Sequence, residues 1–359
     1  MPSVFVGLQK TDNQATILSL CIPNPRRVFS LSYGSNFSYF LGLMKSLFPP
    51  VEPYANHLFQ FDSIHKVYVE ECGNRLGFPV IFLHGGPASG CRPEHRRFFD
   101  PKKYRVILFD QRGAGRSTPK GEIIANTTQE LLRDMERIRE KLAIDRWLVF
   151  GGSWGATLAL LYAQTHLERV CGLIIRGVFL ARQRDLEWYL SKGLNRIYPE
   201  QWHRLTHSVP KDERNDLIAA FQRRLKGSDE LAQRRVAREW EAWGRQVSMG
   251  TLFSASESEV SASDLVAQVK VEIHFAVNSY FLSENQIVEG CTKIRGIPIM
   301  LLHGRYDLVC PVESAYTLHQ ALPASILQIL PNSGHIARGE EMIDALVRAT
   351  NAMLNQAVW

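Results

Sequence analysis

From residue 66 onward the chain switches repeatedly between two periods of hydrophobic and polar positions. Residues 66–71 alternate apolar with polar, a period of two that predicts a half-buried strand. Residues 79–83 and 105–109 are short apolar runs, the first closed by Gly85-Gly86 and the second by Asp110-Gln111-Arg112-Gly113. Such runs, stopped by glycine turns, predict strands buried on both faces of a parallel sheet. Residues 127–142 follow the helical period instead. Leu131, Met135, Ile138 and Leu142 share one face, and Thr127 with Glu130 predicts a capping box at the start. A strand over 146–150, a helix over 156–165 and a strand over 172–175 follow. After Gly177 the rhythm is lost. Residues 179–290 are rich in Trp, Arg, Glu and Gln and poor in strand-like runs, which predicts a mostly helical insertion. A strand over 297–302, a helix over 312–322, a strand over 325–330 and a helix over 340–355 restore the alternation. Strands alternating with helices predict an α/β fold with a mostly parallel central sheet covered on both faces. The pattern therefore divides the chain into core (44–178), helical cap (179–290) and core again (291–359).

Residues 1–43 differ from the rest. They are rich in Ser, Asn and Thr and hold no periodicity, so a disordered N-terminal extension is expected. Their one apolar run, 15–22, is broken by Ser19 and lacks a basic flank and a small-residue cleavage site, so no signal peptide is expected. Nowhere does the chain approach the ~18 apolar residues that would span a bilayer. A hydrophobic share of 45% with 22% charged residues is that of an ordinary globular protein. The net charge of +6 comes without any run of five or six like charges, so it describes a solvated basic surface rather than a nucleic-acid arm. The six cysteines, Cys21, Cys72, Cys91, Cys171, Cys291 and Cys310, are scattered and form no C-x-x-C pair. That argues against structural zinc, thioredoxin-like chemistry and a disulfide framework, and predicts a reducing cytoplasm.

Chemistry enters at Gly151-Gly152-Ser153-Trp154-Gly155, a G-x-S-x-G between a predicted strand and a predicted helix. A sharp strand-to-helix turn admits only small neighbours and thrusts the serine hydroxyl above the sheet, with the helix N-terminus beneath any developing oxyanion. The competing reading is a glycine-rich turn with an incidental serine. A serine hydroxyl needs a base, and His335 in Asn332-Ser333-Gly334-His335 follows the last strand, where a loop reaches the top of the sheet. His166, His203 and His207 lie in helical or cap segments. The orienting carboxylate belongs between nucleophile and base in chain order, and Asp307 stands there, in His303-Gly304-Arg305-Tyr306-Asp307. The candidate triad is thus Ser153, Asp307 and His335. An oxyanion hole needs two preset N–H donors. Trp154, after the nucleophile, supplies one, and the loop His84-Gly85-Gly86-Pro87 is the source of the other. A phosphate-binding reading of that loop fails, because no G-K-[ST] follows. Residues 110–117 lack G-x-G-x-x-G spacing and read as a structural turn in the site's wall.

These motifs, together with residues 151–160 and Tyr162-Ala163-Gln164-Thr165-His166, resemble the proline iminopeptidase (prolyl aminopeptidase) family of α/β hydrolases, from about Met44 to the C-terminus. The resemblance implies release of an N-terminal proline from peptides, with no metal or organic cofactor. It places the triad on Ser153, Asp307 and His335, and the oxyanion donors on Gly86 and Trp154. It implies two cap glutamates that hold the substrate's secondary ammonium, one of which is Glu272. The other falls on Gly244, in Trp240-Glu241-Ala242-Trp243-Gly244, so that carboxylate is missing and Glu241, one turn away, is the candidate substitute. Phe179 and Tyr189 would line the proline ring's pocket, with Cys310 near. Ala88 stands where the family has glycine. The expected partners are peptides with an N-terminal proline, not nucleic acid or a membrane. An esterase or amidase with no need of a free amine, which the Gly244 departure favours, and a non-catalytic binding protein on the same scaffold are the alternatives.

Overall fold

The computed structural model describes residues 44–250 and 260–356; the expected N-terminal extension, 1–43, lies outside them. Eight strands form one sheet: β1 (Pro53–Gln60), β2 (Lys66–Gly73), β3 (Phe78–Leu83), β4 (Tyr104–Phe109), β5 (Trp147–Ser153), β6 (Val170–Val178), β7 (Ile299–Gly304) and β8 (Ile326–Leu330). Their order across the sheet is β1-β2-β4-β3-β5-β6-β7-β8. The β1–β2 and β2–β4 pairs are antiparallel, and all others are parallel. The central parallel strands are nearly all buried, as their unbroken apolar runs require.

Strand β1 has no counterpart in the hydrophobic pattern. Its sequence, Pro-Tyr-Ala-Asn-His-Leu-Phe-Gln, carries polar residues throughout and no residue of it is fully buried. It sits at the edge, where one neighbour and a solvated face demand little apolar content. Of the predicted capping box only one half forms. Thr127 does cap α1 (Thr128–Lys141) by accepting from the Glu130 N–H. The Glu130 carboxylate does not return to the cap; it pairs with Arg133 and Arg112 instead.

Two apolar layers flank the sheet. On one face α1, α2 (Trp154–Thr165) and α9 (Val312–Ala321) pack on Ile81, Ile107, Val149 and Leu173. On the other, α10 (Glu340–Gln356) covers Val80, Leu108 and Phe150. Helix α2 is buried over ten successive residues, which fits a helix apolar on every side. Between β6 and β7 run α3 (Gln183–Glu187), α4 (Pro199–His207), α5 (Leu217–Lys226), α6 (Glu230–Met249), α7 (Ala262–Val277) and α8 (Gln286–Glu289). Helices α4 to α7 hold a separate apolar core built on Leu205, Phe221, Trp240, Trp243 and Ile273.

Strand order reverses between β3 and β5, and in open α/β sheets the crevice at such a reversal, outside the carboxyl ends of the strands, is where ligands bind. The His84-Gly85-Gly86-Pro87 loop leaves β3 there, and Ser153 ends β5 beside it.

Candidate active site

Ser153 has φ 58° and ψ −123°, a strained conformation that turns the chain from β5 directly into α2. The turn is possible because its flanking glycines admit backbone where a side chain would stand. A Cβ on Gly155 would lie 2.1 Å from the Leu83 carbonyl oxygen. The oxyanion loop packs directly on the turn: a Cβ on Gly85 would meet Ser153 Cβ at 3.4 Å.

The Ser153 Oγ lies 3.2 Å from His335 Nε2, and His335 Nδ1 lies 2.8 and 2.9 Å from the two Asp307 oxygens. Asp307 Oδ1 also accepts from the Cys310 N–H at 2.8 Å. Burial alone would raise the Asp307 carboxyl, but His335 and these donors outweigh it and hold the group below the usual carboxylate range. The arrangement lets His335 take a proton at Nε2 while Asp307 fixes Nδ1 as the donor.

Several residues that the sequence did not single out hold this geometry. His303 is wholly buried beneath Asp307; it accepts from the Val178 N–H at Nδ1 and donates from Nε2 to the Cys310 carbonyl at 2.7 Å. One nitrogen accepts and the other donates, so the ring is neutral, and burial pushes its basicity down. Arg176 donates to the His335 carbonyl and ties the base's loop to β6. Gln111 joins the two oxyanion segments. Its N–H donates to His84 Nε2 at 3.0 Å, its amide donates to the His84 carbonyl at 3.0 Å, and its Oε1 accepts from Trp154 Nε1 at 2.9 Å. Residues 110–117 are thus a brace for the loop, and Asp110 adds to it by accepting from the Cys91 N–H at 2.7 Å. The Gly86 N–H has no acceptor among the described residues. Trp154 is the first residue of α2, where an N–H has no intrahelical acceptor. Both are available to a ligand.

Glu272 on α7 is held by Trp240 Nε1 at 2.6 Å and Gln268 Nε2 at 2.9 Å. Burial pushes its carboxyl up to about 7 against those donors, and the charge of Glu241 adds to the rise. Glu241 itself pairs with Arg245 at 3.5 Å, and its carboxyl is raised by burial. The Cβ position of Gly244 lies 3.3 Å from the Tyr189 hydroxyl, so the missing carboxylate's place faces Tyr189. Tyr189 is within electrostatic reach of Glu272 and Cys310. Cys310 is buried within hydrogen-bonding reach of Ser153, and its thiol is pushed far up by burial. Phe179 packs edge-on against Tyr280 at 4.9 Å, and Tyr280 against Trp154 at 5.4 Å. Phe179, Tyr189, Cys310 and Glu272 are therefore gathered around Tyr280, beside Ser153; Glu241 is turned onto Arg245.

Asp307, Cys310 and His335 are the only group of three metal-donor side chains among the described residues, with donor atoms within 4.8 Å of one another. Asp307 is committed to His335 and the Cys310 N–H, and the Cys310 thiol is held protonated, so the trio is poorly suited to an ion.

A family model described as the alpha/beta hydrolase fold matches residues 79–341. An alpha/beta fold family hydrolase from Bacillus anthracis str. Sterne aligns with a TM-score of 0.55 at 20% identity, covering 83% of this chain and 100% of its own. An esterase from Rhodococcus sp. ECU1013 aligns with a TM-score of 0.55 at 16% identity, covering 86% and 100%. The chain is an α/β hydrolase. Among curated relatives, the proline iminopeptidase of Xylella fastidiosa (strain 9a5c) is 45% identical over 315 residues, 87% of this chain and 100% of the relative. That of Arabidopsis thaliana is 41% identical over 314 residues, 86% and 82% of the two chains. The chain belongs to the proline iminopeptidase family.

Proposed function

We propose that this protein is a serine exopeptidase that releases an N-terminal proline from peptides. Ser153 Oγ attacks the prolyl carbonyl as His335 Nε2 takes its proton. The Gly86 and Trp154 N–H groups receive the oxyanion. His335 then passes the proton to the departing amine, leaving a prolyl ester on Ser153. Water, deprotonated by His335, cleaves that ester and restores the serine. The observation that carries the choice of substrate is Glu272, a partly buried carboxylate held by Trp240 Nε1 and within electrostatic reach of Tyr189 and Tyr280. A buried carboxylate without a paired cation is costly, and a substrate's secondary ammonium supplies that cation. The five described cysteines are all free, which supports a reducing compartment such as the cytoplasm. No helix among the described residues is long and apolar enough to cross a membrane.

The departure at Gly244 favours a second reading, an esterase or amidase with no free-amine requirement. Hydrolysis of a proline arylamide against a panel of simple esters separates the two. Labelling by a fluorophosphonate probe tests the nucleophile under either. Ser153→Ala should abolish labelling and lower turnover by roughly 10⁴–10⁶. Near-normal activity in that variant would remove Ser153 from the mechanism.

A further inference from the structure

The connection from α7 to α8 contains an unusual piece of backbone. Ser279, Tyr280 and Phe281 have φ of 48°, 54° and 56°, three successive non-glycine residues in the left-handed region. L-residues visit that region singly, not in runs. The turn is fastened from outside: Thr128 Oγ1 donates to the Tyr280 carbonyl at 2.5 Å, and Gln129 Nε2 donates to the Phe281 carbonyl at 3.0 Å. Phe281 packs edge-on against Phe275 at 5.4 Å and completes the anchorage. Backbone held against its preference by surrounding structure is concentrated at ligand sites.

The side chain that this turn presents is Tyr280. Its ring lies between Trp154 and Phe179. Its hydroxyl has no hydrogen-bond partner among the described residues, and it lies within electrostatic reach of Glu272 and Cys310. Position matters here. In an N-terminal proline the ring nitrogen is two bonds from the carbonyl carbon, so acceptors for its N–H groups must lie next to the nucleophile and the oxyanion donors. Tyr280, whose ring packs on Phe179 just past the end of β6 and whose hydroxyl is within electrostatic reach of Cys310, the neighbour of Ser153 Oγ, meets that condition. Tyr189 has its hydroxyl against α6 at Gly244, further along the cap. A secondary ammonium carries two N–H donors, and Glu272 accounts for one.

We propose that Tyr280 is a specificity-determining residue whose hydroxyl accepts the second ammonium N–H of the substrate, the acceptor that Gly244 leaves out. The inference rests on the aminopeptidase reading. Its mechanism is uniform binding: the bond is present in ground and transition states alike, so its loss raises KM and leaves kcat.

The test uses the full chain with Tyr280→Phe, which keeps the ring and its packing. For a proline arylamide the variant should show a KM raised about tenfold or more with kcat within about twofold. For p-nitrophenyl acetate, which has no ammonium, kcat/KM should stay within about twofold, as should the rate of fluorophosphonate labelling. An equal loss on amide and acetate means that the residue only supports Trp154, and overturns the proposal. An unchanged KM for the arylamide in the variant, with the wild type active, overturns it while leaving the aminopeptidase reading in place. A wild type that hydrolyses the acetate and not the arylamide overturns both.

Discussion

Ala88 occupies a position with φ 77°, which explains the family's preference for glycine there. Holding an alanine in that region costs left-handed strain of about 1–2 kcal/mol. Ala88→Gly relieves that strain but loses a buried methyl, worth about 0.8 kcal/mol, and loosens the unfolded chain by about 0.4–1 kcal/mol. These nearly cancel, so stability by urea denaturation should move by less than about 1 kcal/mol. A loss above 2 kcal/mol would show that the methyl is essential to the loop. Glu272 gives a larger effect with a definite sign. Its carboxyl rises from the ordinary 4.5 to about 7 in the folded protein, so the fold favours the protonated form. The stability that this contributes is present below pH 4.5 and lost as pH rises through about 7, up to about 3 kcal/mol. Glu272→Gln should therefore be more stable than the wild type at pH 8.5 and no more stable at pH 4, read as the difference in Tm. Gln268 can flip its amide to accept from the new side-chain amide, so the variant keeps both hydrogen bonds. Activity should move the other way. The ratio of proline-arylamide to acetate kcat/KM should fall about tenfold per pH unit below pH 7 in the wild type, and the variant should lose two to four decades of that ratio. A variant that leaves the ratio intact removes Glu272 as the amine anchor. At this scale the sequence was informative where chemistry needs an order of residues. Ser153, Asp307 and His335 each follow a strand end, and a pattern reader can find strand ends. Tyr280 gave no such signal, because its three left-handed positions, Ser279, Tyr280 and Phe281, hold neither glycine nor asparagine.

Among elements, legibility followed burial. Strands β3 to β7 are enclosed by helices and had to be mostly apolar, so their runs were visible. Strand β1 is an edge with residues such as Asn56, His57 and Gln60, and its pairing with β2 is made by backbone that any residue supplies. Long-range bracing was equally hidden: Gln111 reaches both His84 and Trp154, a relation between loops that no local window contains. Helix α6 shows the opposite case, in which a single absent side chain was readable and its consequence was not. Its W-x-x-W brings Trp240 to Glu272 and Trp243 into the cap core, while Gly244 leaves space against Tyr189. Glu241 is one turn back and tied to Arg245. We expect Glu241→Gln to change proline-arylamide kcat/KM by less than about fivefold, since a partly exposed pair contributes under ~1 kcal/mol. Gly244→Glu should lower KM severalfold, because a charged acceptor forms a stronger hydrogen bond than a hydroxyl. Tyr189 must first yield by a few tenths of an ångström to the new Cβ. Should Glu241→Gln prove as damaging as Glu272→Gln, Glu241 is the second anchor after all.

For the whole molecule, the apolar pattern set the layer order and put the start of the core at residue 44. The described residues from Met44 onward form a compact unit by themselves. Its first residues are fastened to the core at definite points. The Lys45 N–H donates to Asp344 Oδ1 at 2.6 Å, the Phe48 N–H donates to the Arg97 carbonyl at 2.9 Å, and Arg97 Nε returns a bond to the Phe48 carbonyl at 2.7 Å. Leu47 and Val51 pack on the face of the sheet that α10 covers. Every side chain assigned to the site comes later in the chain, between Gly86 and His335. A chain that begins at Met44 keeps all of these contacts, so its Tm should stay within about 2 °C of the full chain and its kcat/KM within about twofold. A chain that begins at Val51 loses the three hydrogen bonds and the burial of Leu47. At about 1 kcal/mol per bond and 1.5–3 for the leucine if fully buried, it should lose several kcal/mol and melt on the order of 10 °C lower. The pair of truncations locates the boundary by its energetics. Equal melting of both would show that residues 44–50 add nothing, and a large drop already at Met44 would show that residues 1–43 belong to the folded unit.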